Sequence, residues 1–221
     1  MCGRFTITSN KELIIKRFRA DLDGPFEPHY NAAPNDRLPV ILNDSPKKIE
    51  LAEWGLKPAW IKKLRKGDGL INIRVETLRD KATFRVDLER RRCLVIADGF
   101  YEWQKAGKKK IPFRATLAGG ELFTFAGLWE ENMDELGRPT KTFAIITVPP
   151  NALLANIHDR MPAILEKNAE AAWLDPGLQA EEILPILRPL AAKEMIAYQV
   201  SADVNSPQND HIDLIRKVSG T

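Results

Sequence analysis

The chain has 221 residues, of which 44% are hydrophobic and 29% are charged, and its net charge is +3. This composition predicts a globular protein with a sizeable core and excludes a transmembrane helix, because no run approaches the ~18 apolar residues that a membrane span needs. Charges interrupt the apolar residues near the start, so we expect no signal peptide, and two cysteines are too few for a disulfide framework; both observations favour a cytoplasmic protein.

The first third of the chain predicts one helix and three strands. Asn10 is a suitable N-cap for a helix over KELIIKRFRA. LPVILND (38–44) and KIELAEWGL (48–56) predict short strands around the turn DSPKK. GLINIRVET (69–77) alternates apolar and polar residues, which is typical of a half-buried strand.

The middle of the chain is rich in predicted strands. These are CLVIADGFYEW (93–103), IPFRATL (111–117), LFTFAGLWEE (122–131) and TFAIITV (142–148). The separators are short and contain glycine, which favours an antiparallel meander.

The last third predicts short helices and a final strand. NALLANI (151–157), EAAWLD and QAEEILPILRPLA favour helix, and MIAYQVS (195–201) predicts the last strand before a loosely ordered tail. Many strands with few helices indicate an α+β class, and we expect one domain over residues 1–221.

Positive charge is clustered in three segments that also carry or flank aromatic residues. They are KPAWIKKLRKGD (57–68), RVDLERRRC (85–93) and QKAGKKK (104–110). Such clusters are typical of a surface that binds a phosphate backbone, although solvated loops have the same appearance.

Four stretches place polar residues at positions where a strand pattern predicts buried apolar residues. MCGRF carries Cys2, and Asn72 and Arg74 lie on one face of the 69–77 segment. Glu102 lies between two aromatic residues, which would desolvate its carboxyl group and raise its pKa. His158, one of three histidines, lies in NIHDRMPAIL.

Common reaction templates are missing from the sequence. It contains no G-x-S-x-G, H-E-x-x-H, Walker or G-x-G-x-x-G motif, and the cysteines and histidines lack zinc-site spacing, so we expect no metal and no cofactor. A thiol peptidase with Cys2 as nucleophile and His158 as base stays open.

A cysteine at position 2 has a distinct chemistry if Met1 is removed. The free α-amine, with a pKa of about 7.7–8, attacks an aldehyde to form a Schiff base, and the thiol then closes a thiazolidine ring. In a basic groove the natural aldehyde is the ring-opened deoxyribose of an abasic site in DNA. Ring opening needs an acid or base, and Glu102 and His158 are of suitable type.

Six motifs together resemble a known family, the SOS-response-associated peptidase (SRAP) family of abasic-site processing proteins. In family order they are MCGRF, YNAAP (30–34), WGLKPAW (54–60), INIRVET (71–77), ADGFYEW (97–103) and IHDRMP (157–162). Each motif alone is weak, but six in order over almost the whole chain are specific.

The resemblance implies a single domain around a twisted antiparallel β-barrel-like sheet with short flanking helices and a positively charged channel for single-stranded DNA. It implies that Met1 is removed and that Cys2 forms a stable crosslink with an abasic site. Glu102 would then assist sugar opening, His158 would assist Schiff-base chemistry and crosslink reversal, and Asn72 would position the N-terminus and the sugar.

The resemblance also implies a set of residues that contact DNA or lie beside it. Two arginines resemble phosphate contacts, two residues belong to a loop near the site, and two tryptophans either stack on bases or pack in the core. In that order they are Arg4, Arg74, Asn31, Pro34, Trp54 and Trp60.

Two functional readings remain, with a third that is weaker. The first is covalent capture of abasic sites in single-stranded DNA, with associated lyase chemistry, by a cytoplasmic, nucleoid-associated monomer. The second is a thiol peptidase acting on itself or on other proteins. The third is a single-strand binding module in which Cys2 is incidental, and the convergence of chemistry on Cys2 argues against it.

Overall fold

The computed structural model describes residues 2–58, 69–80, 82–133 and 136–218. Within these residues lie short helices that flank two sheets. The helices are α1 (Lys11–Phe18), α2 (Val75–Asp80), α3 (Ala82–Arg90), α4 (Glu170–Leu174) and α5 (Ala180–Ile183). Asn10 caps α1, since its side chain accepts a hydrogen bond from the Leu13 N–H, as the sequence predicted.

The strands supply most of the regular structure. In the first half they are β1 (Phe5–Ile7), β2 (Asp21–Leu22), β3 (His29–Ala32), β4 (Arg37–Leu42), β5 (Lys48–Trp54), β6 (Asn72–Arg74) and β7 (Arg92–Ala97). In the second half they are β8 (Gly99–Ala106), β9 (Lys109–Leu117), β10 (Phe123–Met133), β11 (Pro139–Val148), β12 (Met161–Pro162), β13 (Ile164–Leu165) and β14 (Met195–Gln199).

Five strands close into a barrel in the order β11–β10–β7–β4–β5, because β5 also pairs with β11. The neighbours around the ring are antiparallel, except that β5 and β11 run parallel, with Trp54 opposite Phe143. Strand direction alternates in an antiparallel sheet, so a closed ring with an odd number of strands must contain a parallel pair. The predicted α+β domain with a barrel-like sheet is therefore confirmed.

A second sheet, in the order β14–β9–β8–β1–β3, carries the N-terminal strand. The chain passes from the barrel to this sheet at Asp98, between β7 and β8. The Asp98 carboxylate accepts hydrogen bonds from Thr6 Oγ1 at 2.6 Å, the Thr8 N–H at 2.5 Å and Arg114 Nη2 at 3.1 Å. A Cβ at Gly99 would lie 2.7 Å from the Arg114 guanidinium, so a side chain at this position would push the guanidinium away from Asp98.

This crossing corrects two predictions for the middle of the chain. The segment 93–103 was predicted as one strand, but it forms β7 and β8 in different sheets. The hairpins β8–β9 and β10–β11 are present as predicted, whereas β9 and β10 lie in different sheets, so the four strands do not form a continuous meander.

Aromatic rings fill the interior of the barrel. Phe5 packs edge-on against Trp54 and Phe125, with ring centroids 5.0 and 5.7 Å apart, and Trp54 stacks on Phe143 at 6.4 Å. Trp54 is fully buried, and its indole N–H donates to the Ile71 carbonyl oxygen at 2.9 Å. Trp54 is therefore a core residue, and the idea that it stacks on nucleic-acid bases is wrong.

Two predicted elements differ from those in the structure. In 69–77 the strand covers only β6, and α2 begins at Val75, because Val75 and Leu78 are both buried at the i, i+3 spacing of a helix face. The 151–157 segment forms turns rather than a helix, with Asn151 Oδ1 accepting from the Leu154 N–H.

The C-terminal tail is packed rather than loosely ordered, as far as residue 218. Two 3₁₀ turns, Ala202–Asn205 and Ile212–Ile215, place the fully buried Val204 and Leu214 against Tyr101. In the part of the chain that the structure describes, no helix is long and apolar enough to span a membrane.

The arginine cluster of residues 85–93 does not form a free cationic surface. Arg85 pairs with Glu181, Arg91 pairs with Glu130, and Arg92 is fully buried. Three of the four arginines are therefore paired or buried and Arg90 is exposed, so the segment carries less free positive charge than its interpretation as a phosphate-binding surface assumed.

We expect Arg92→Met to destabilise the fold strongly. The Arg92 guanidinium donates to main-chain carbonyl oxygens of Leu88, Glu89, Trp173 and Asp175 at 2.5–3.0 Å. Methionine leaves these buried acceptors without a donor, which costs about 3 kcal/mol or more. Urea unfolding measures this, with Arg90→Met at the neighbouring exposed position as control; equal midpoint shifts would contradict the structural role of Arg92.

Candidate functional site around Cys2

The pairing of β1 with β8 places Cys2 beside Glu102. Phe5 lies opposite Phe100, and the Tyr101 N–H donates to the Arg4 carbonyl oxygen at 3.0 Å. Because the strands are antiparallel, residues 2 and 3 run alongside residues 102 and 103. Cys2 is fully buried, and its thiol faces the Arg4 carbonyl oxygen at 3.7 Å.

Asn72 holds the main chain of Cys2. Its Nδ2 donates to the Cys2 carbonyl oxygen at 2.8 Å, and its own position follows from the pairing of β6 with β11 opposite Ile145. Asn72 Oδ1 is buried and has no hydrogen-bond partner in the described part of the chain. The site therefore holds an unused acceptor within a few ångströms of the Cys2 backbone.

Glu102 is a buried carboxyl group, with an exposed fraction of only 3%. Burial raises its pKa to about 7, and the negative charge of Asp159 adds to the rise. The group is therefore partly protonated at neutral pH and able to act as an acid there. The sequence predicted this rise from the aromatic neighbours of Glu102.

His158 faces Glu102 across the site. Its Nε2 lies 3.9 Å from Glu102 Oε2, and its Nδ1 accepts a hydrogen bond from the Arg160 N–H at 3.1 Å. Asp159 Oδ1 also lies 2.8 Å from Nδ1, but that contact requires a protonated Nδ1. Burial lowers the pKa of His158, so the neutral ring with its proton on Nε2 prevails at neutral pH.

Arg160 anchors the loop that carries His158. Its guanidinium binds both carboxylate oxygens of Glu76 at 2.8 and 2.9 Å and the Thr147 carbonyl oxygen at 2.6 Å. This bidentate pair holds the backbone whose N–H orients the His158 ring. Glu76 and Arg160 belong to the INIRVET and IHDRMP motifs, so those motifs meet here.

An open cavity of about 400 Å³ adjoins these residues. Glu102 and His158 form its reactive side. The rest of its lining is Trp103, Lys105, Lys110 and Asn205. The sequence indicated the lysines as part of a basic cluster, but it gave no role to Trp103 or Asn205; Asn205 is far away in the chain, and no motif marked it.

Two of the predicted DNA-contacting residues make internal bonds instead. Arg4 Nη1 donates to Asn31 Oδ1 at 2.9 Å and to the Val204 carbonyl oxygen at 3.0 Å. Asn31 is buried, and its Nδ2 donates to the carbonyl oxygens of Ser206 and Asn209 at 3.0 and 2.8 Å. In this structure Arg4 and Asn31 tie the N-terminal strand to the C-terminal segment.

The other predicted contacts differ in their surroundings. Arg74 is exposed, two residues beyond Asn72, and Pro34 is half-buried. Trp60 and most of the basic segment 57–68 lie outside the described residues. Arg74 therefore stays a predicted phosphate contact. No cluster of metal-ligating side chains occurs in 2–58, 69–80, 82–133 or 136–218.

Comparison with known proteins agrees with this arrangement. The model of the family described as SOS response associated peptidase (SRAP) matches residues 1–207. The chain belongs to the SRAP family. The resemblance drawn from the six motifs is therefore confirmed over nearly the whole length of the protein.

Curated SRAP relatives come from bacteria and vertebrates. The abasic site processing protein YoqW of Bacillus subtilis is 43% identical, covering 97% of this chain and 99% of its own length. YedK of Escherichia coli is 30% identical, and the match covers 99% of this chain and 100% of YedK. HMCES of Gallus gallus is 32% identical, and the match covers 85% of this chain and 66% of HMCES. Both are also named abasic site processing proteins.

Solved structures show the same SRAP fold. A protein from Bacteroides thetaiotaomicron superimposes with a TM-score of 0.88 at 27% identity, covering 99% of this chain and 100% of the other. A phage-related protein from Bordetella bronchiseptica gives a TM-score of 0.72 at 27% identity, with 90% and 94% covered.

Proposed function

We propose that this protein captures abasic sites in single-stranded DNA through the α-amine and thiol of Cys2, once Met1 is removed. The relatives named as abasic site processing proteins support the substrate. The cavity at Glu102 and His158 supports the chemistry, because a buried acid and a neutral histidine face a space lined by two lysines.

One observation carries this proposal: Asn72 holds the main chain of Cys2 in place. Asn72 binds the Cys2 carbonyl oxygen, which fixes the α-carbon that bears the amine. Burial and the charge of Glu102 raise the pKa of the thiol well above its ordinary value. Both features suit an amine that attacks first and a thiol that adds afterwards.

The proposed reaction begins with the closed sugar of the abasic site. Protonated Glu102 donates a proton to the ring oxygen as the bond between that oxygen and C1′ breaks, and water takes the proton of the C1′ hydroxyl, which leaves the aldehyde. The neutral Cys2 amine adds to C1′, and one of its N–H protons moves to the carbonyl oxygen. The second N–H proton combines with the resulting hydroxyl group, which departs as water while the His158 Nε2–H donates a hydrogen bond to it. The S–H then adds across the imine: sulfur bonds to C1′ and its proton goes to nitrogen, closing the thiazolidine without any change in oxidation state.

The peptidase alternative fits this geometry less well. A thiol peptidase needs a thiolate, which a neighbouring cationic imidazole normally stabilises. Here the pKa of Cys2 is raised and that of His158 is lowered, so the ion pair is disfavoured on both sides.

The proposal is tested with a uracil-containing oligonucleotide, with and without treatment by uracil glycosylase. We expect a heat-stable protein–DNA adduct with the treated strand alone, forming faster on single-stranded than on duplex DNA and weakening steeply with salt. Intact-mass analysis of the protein establishes whether residue 1 is Cys2. If the mature protein starts at Cys2 and gives no adduct, the proposed function is wrong.

A further inference from the structure

The orientation of the Asn205 amide is determined by Trp103. The indole Nε1–H of Trp103 donates to Asn205 Oδ1 at 2.7 Å. Because an indole nitrogen only donates, the oxygen must face Trp103 and the NH₂ group must face another way. No acceptor in the described part of the chain takes a hydrogen bond from this NH₂ group, although Asn205 lines the cavity beside Glu102 and His158.

The backbone around Asn205 is held in place from the N-terminal side. Arg4 donates to the carbonyl oxygens of Val204 and Asn205 at 3.0 and 3.4 Å, and Asn31 Nδ2 donates to that of Val204 at 3.3 Å. Val204 itself is fully buried. The position of the Asn205 amide is therefore fixed before any ligand arrives, which reduces the entropic cost of binding.

Two like charges face the same cavity. Lys105 and Lys110 lie directly opposite each other in the β8–β9 hairpin, and both are exposed. Neither has a carboxylate partner among the residues that the structure describes, and like charges opposite each other in a sheet are unfavourable. An anion between or beside the two ammonium groups would relieve this repulsion.

We propose that Asn205, Lys105 and Lys110 form a binding subsite for a phosphodiester next to the abasic sugar. All three offer donors, and phosphate oxygens only accept, so the chemistry matches a phosphate better than a base edge, which carries both. The inference rests on the proposed function, because the sugar attached to that phosphate is the one that reacts with Cys2. The subsite would set which sugar of the strand lies at Glu102 and His158.

The test uses single-stranded oligonucleotides with a tetrahydrofuran abasic analogue, which has no aldehyde and so measures binding alone. Neutral methylphosphonate replaces, one at a time, each phosphate near the analogue. We expect one replacement to weaken wild-type binding about tenfold, and this loss to shrink to about twofold or less in Lys105→Gln/Lys110→Gln. The salt dependence of log Kd should lose about one unit of slope per lysine.

Asn205→Asp is the matched amide variant, because it keeps an oxygen for Trp103 and removes the donors. Gln208→Glu makes the same charge change in the same segment outside the cavity, and Lys193→Gln is the control for the lysines. We expect Asn205→Asp to abolish the sensitivity to that single phosphate and both controls to keep it. Unchanged sensitivity in Asn205→Asp and in the lysine pair would overturn the subsite.

The two proposals fail in different ways. If the wild type forms the heat-stable adduct but the variants keep the phosphate sensitivity, the subsite is wrong and the proposed function stands. If no adduct forms but the sensitivity follows Asn205 and the lysines on the analogue or on an intact strand, the subsite stands and the proposed function is wrong.

Discussion

Cys2→Ala is expected to abolish the heat-stable adduct with abasic DNA while leaving the fold intact. The substitution removes the thiol, so the imine formed by the amine cannot close the ring, and water hydrolyses the imine. We therefore expect the variant to be trapped only when borohydride reduces the imine. The measurement is denaturing gel electrophoresis with and without borohydride.

Cys93→Ala is the matched control, because Cys93 is the other buried thiol and lies in β7, within the barrel. It should form the adduct at the wild-type yield after its stability has been checked by urea unfolding. In a second variant, a residue is retained in front of Cys2. This protein keeps the Cys2 thiol, but the Cys2 nitrogen lies in a peptide bond and is no longer a free amine. If this blocked protein or Cys2→Ala formed a heat-stable adduct without reductant, the thiazolidine mechanism would be refuted.

The sequence was most informative about the four residues of the candidate catalytic site. Cys2, Asn72, Glu102 and His158 were identified from local surroundings and from the family resemblance. The structure brings their segments together, with Asn72 bound to Cys2 and His158 facing Glu102. The rise in the pKa of Glu102 also followed from the sequence, since its neighbours on both sides are aromatic.

The sequence was least informative where a charge or ring can be either buried or exposed. In the sequence Arg92 belongs to a basic cluster, yet it is fully buried, because carbonyl oxygens at the C-terminal ends of α3 and α4 converge on it. The sequence left base stacking and core packing open for Trp54, and the structure places it in the core. Local composition does not reveal such partners, which come from distant parts of the chain.

Pairing between distant segments also explains why some features were missed. The division of 93–103 into β7 and β8 depends on Asp98 meeting Thr6 and Arg114. Asn205 joins the cavity only because Arg4 and Asn31 tie down the backbone beside it. In both cases the side chains that decide the arrangement lie more than ten residues away along the chain.

Glu102→Gln is expected to slow adduct formation by about 10²–10³-fold, because glutamine cannot donate the proton that opens the sugar. In the wild type the acid is lost as pH rises through about 7, and the neutral amine is lost as pH falls below about 7.7–8. The wild-type rate should therefore peak near neutral pH, and the alkaline fall should be absent in the variant. Single-turnover rates from pH 5 to 9 measure this, with Glu131→Gln on the exposed end of β10 as control.

Stability gives an independent check on the same carboxyl group. A carboxyl whose pKa is raised on folding binds more protons in the native state between its ordinary value of 4.5 and about 7, so its contribution makes the protein less stable as pH rises through that window. Asp87, whose pKa burial raises to about 6, has the same sign, but it is present in both proteins and cancels in the comparison. Glu102→Gln should therefore gain stability relative to wild type by roughly 3 kcal/mol between pH 4.5 and 7. Glu102 acts as an acid if Glu102→Gln binds the tetrahydrofuran strand as tightly as wild type, gains this stability and reacts slowly. If binding and rate fall equally, Glu102 is a structural residue instead.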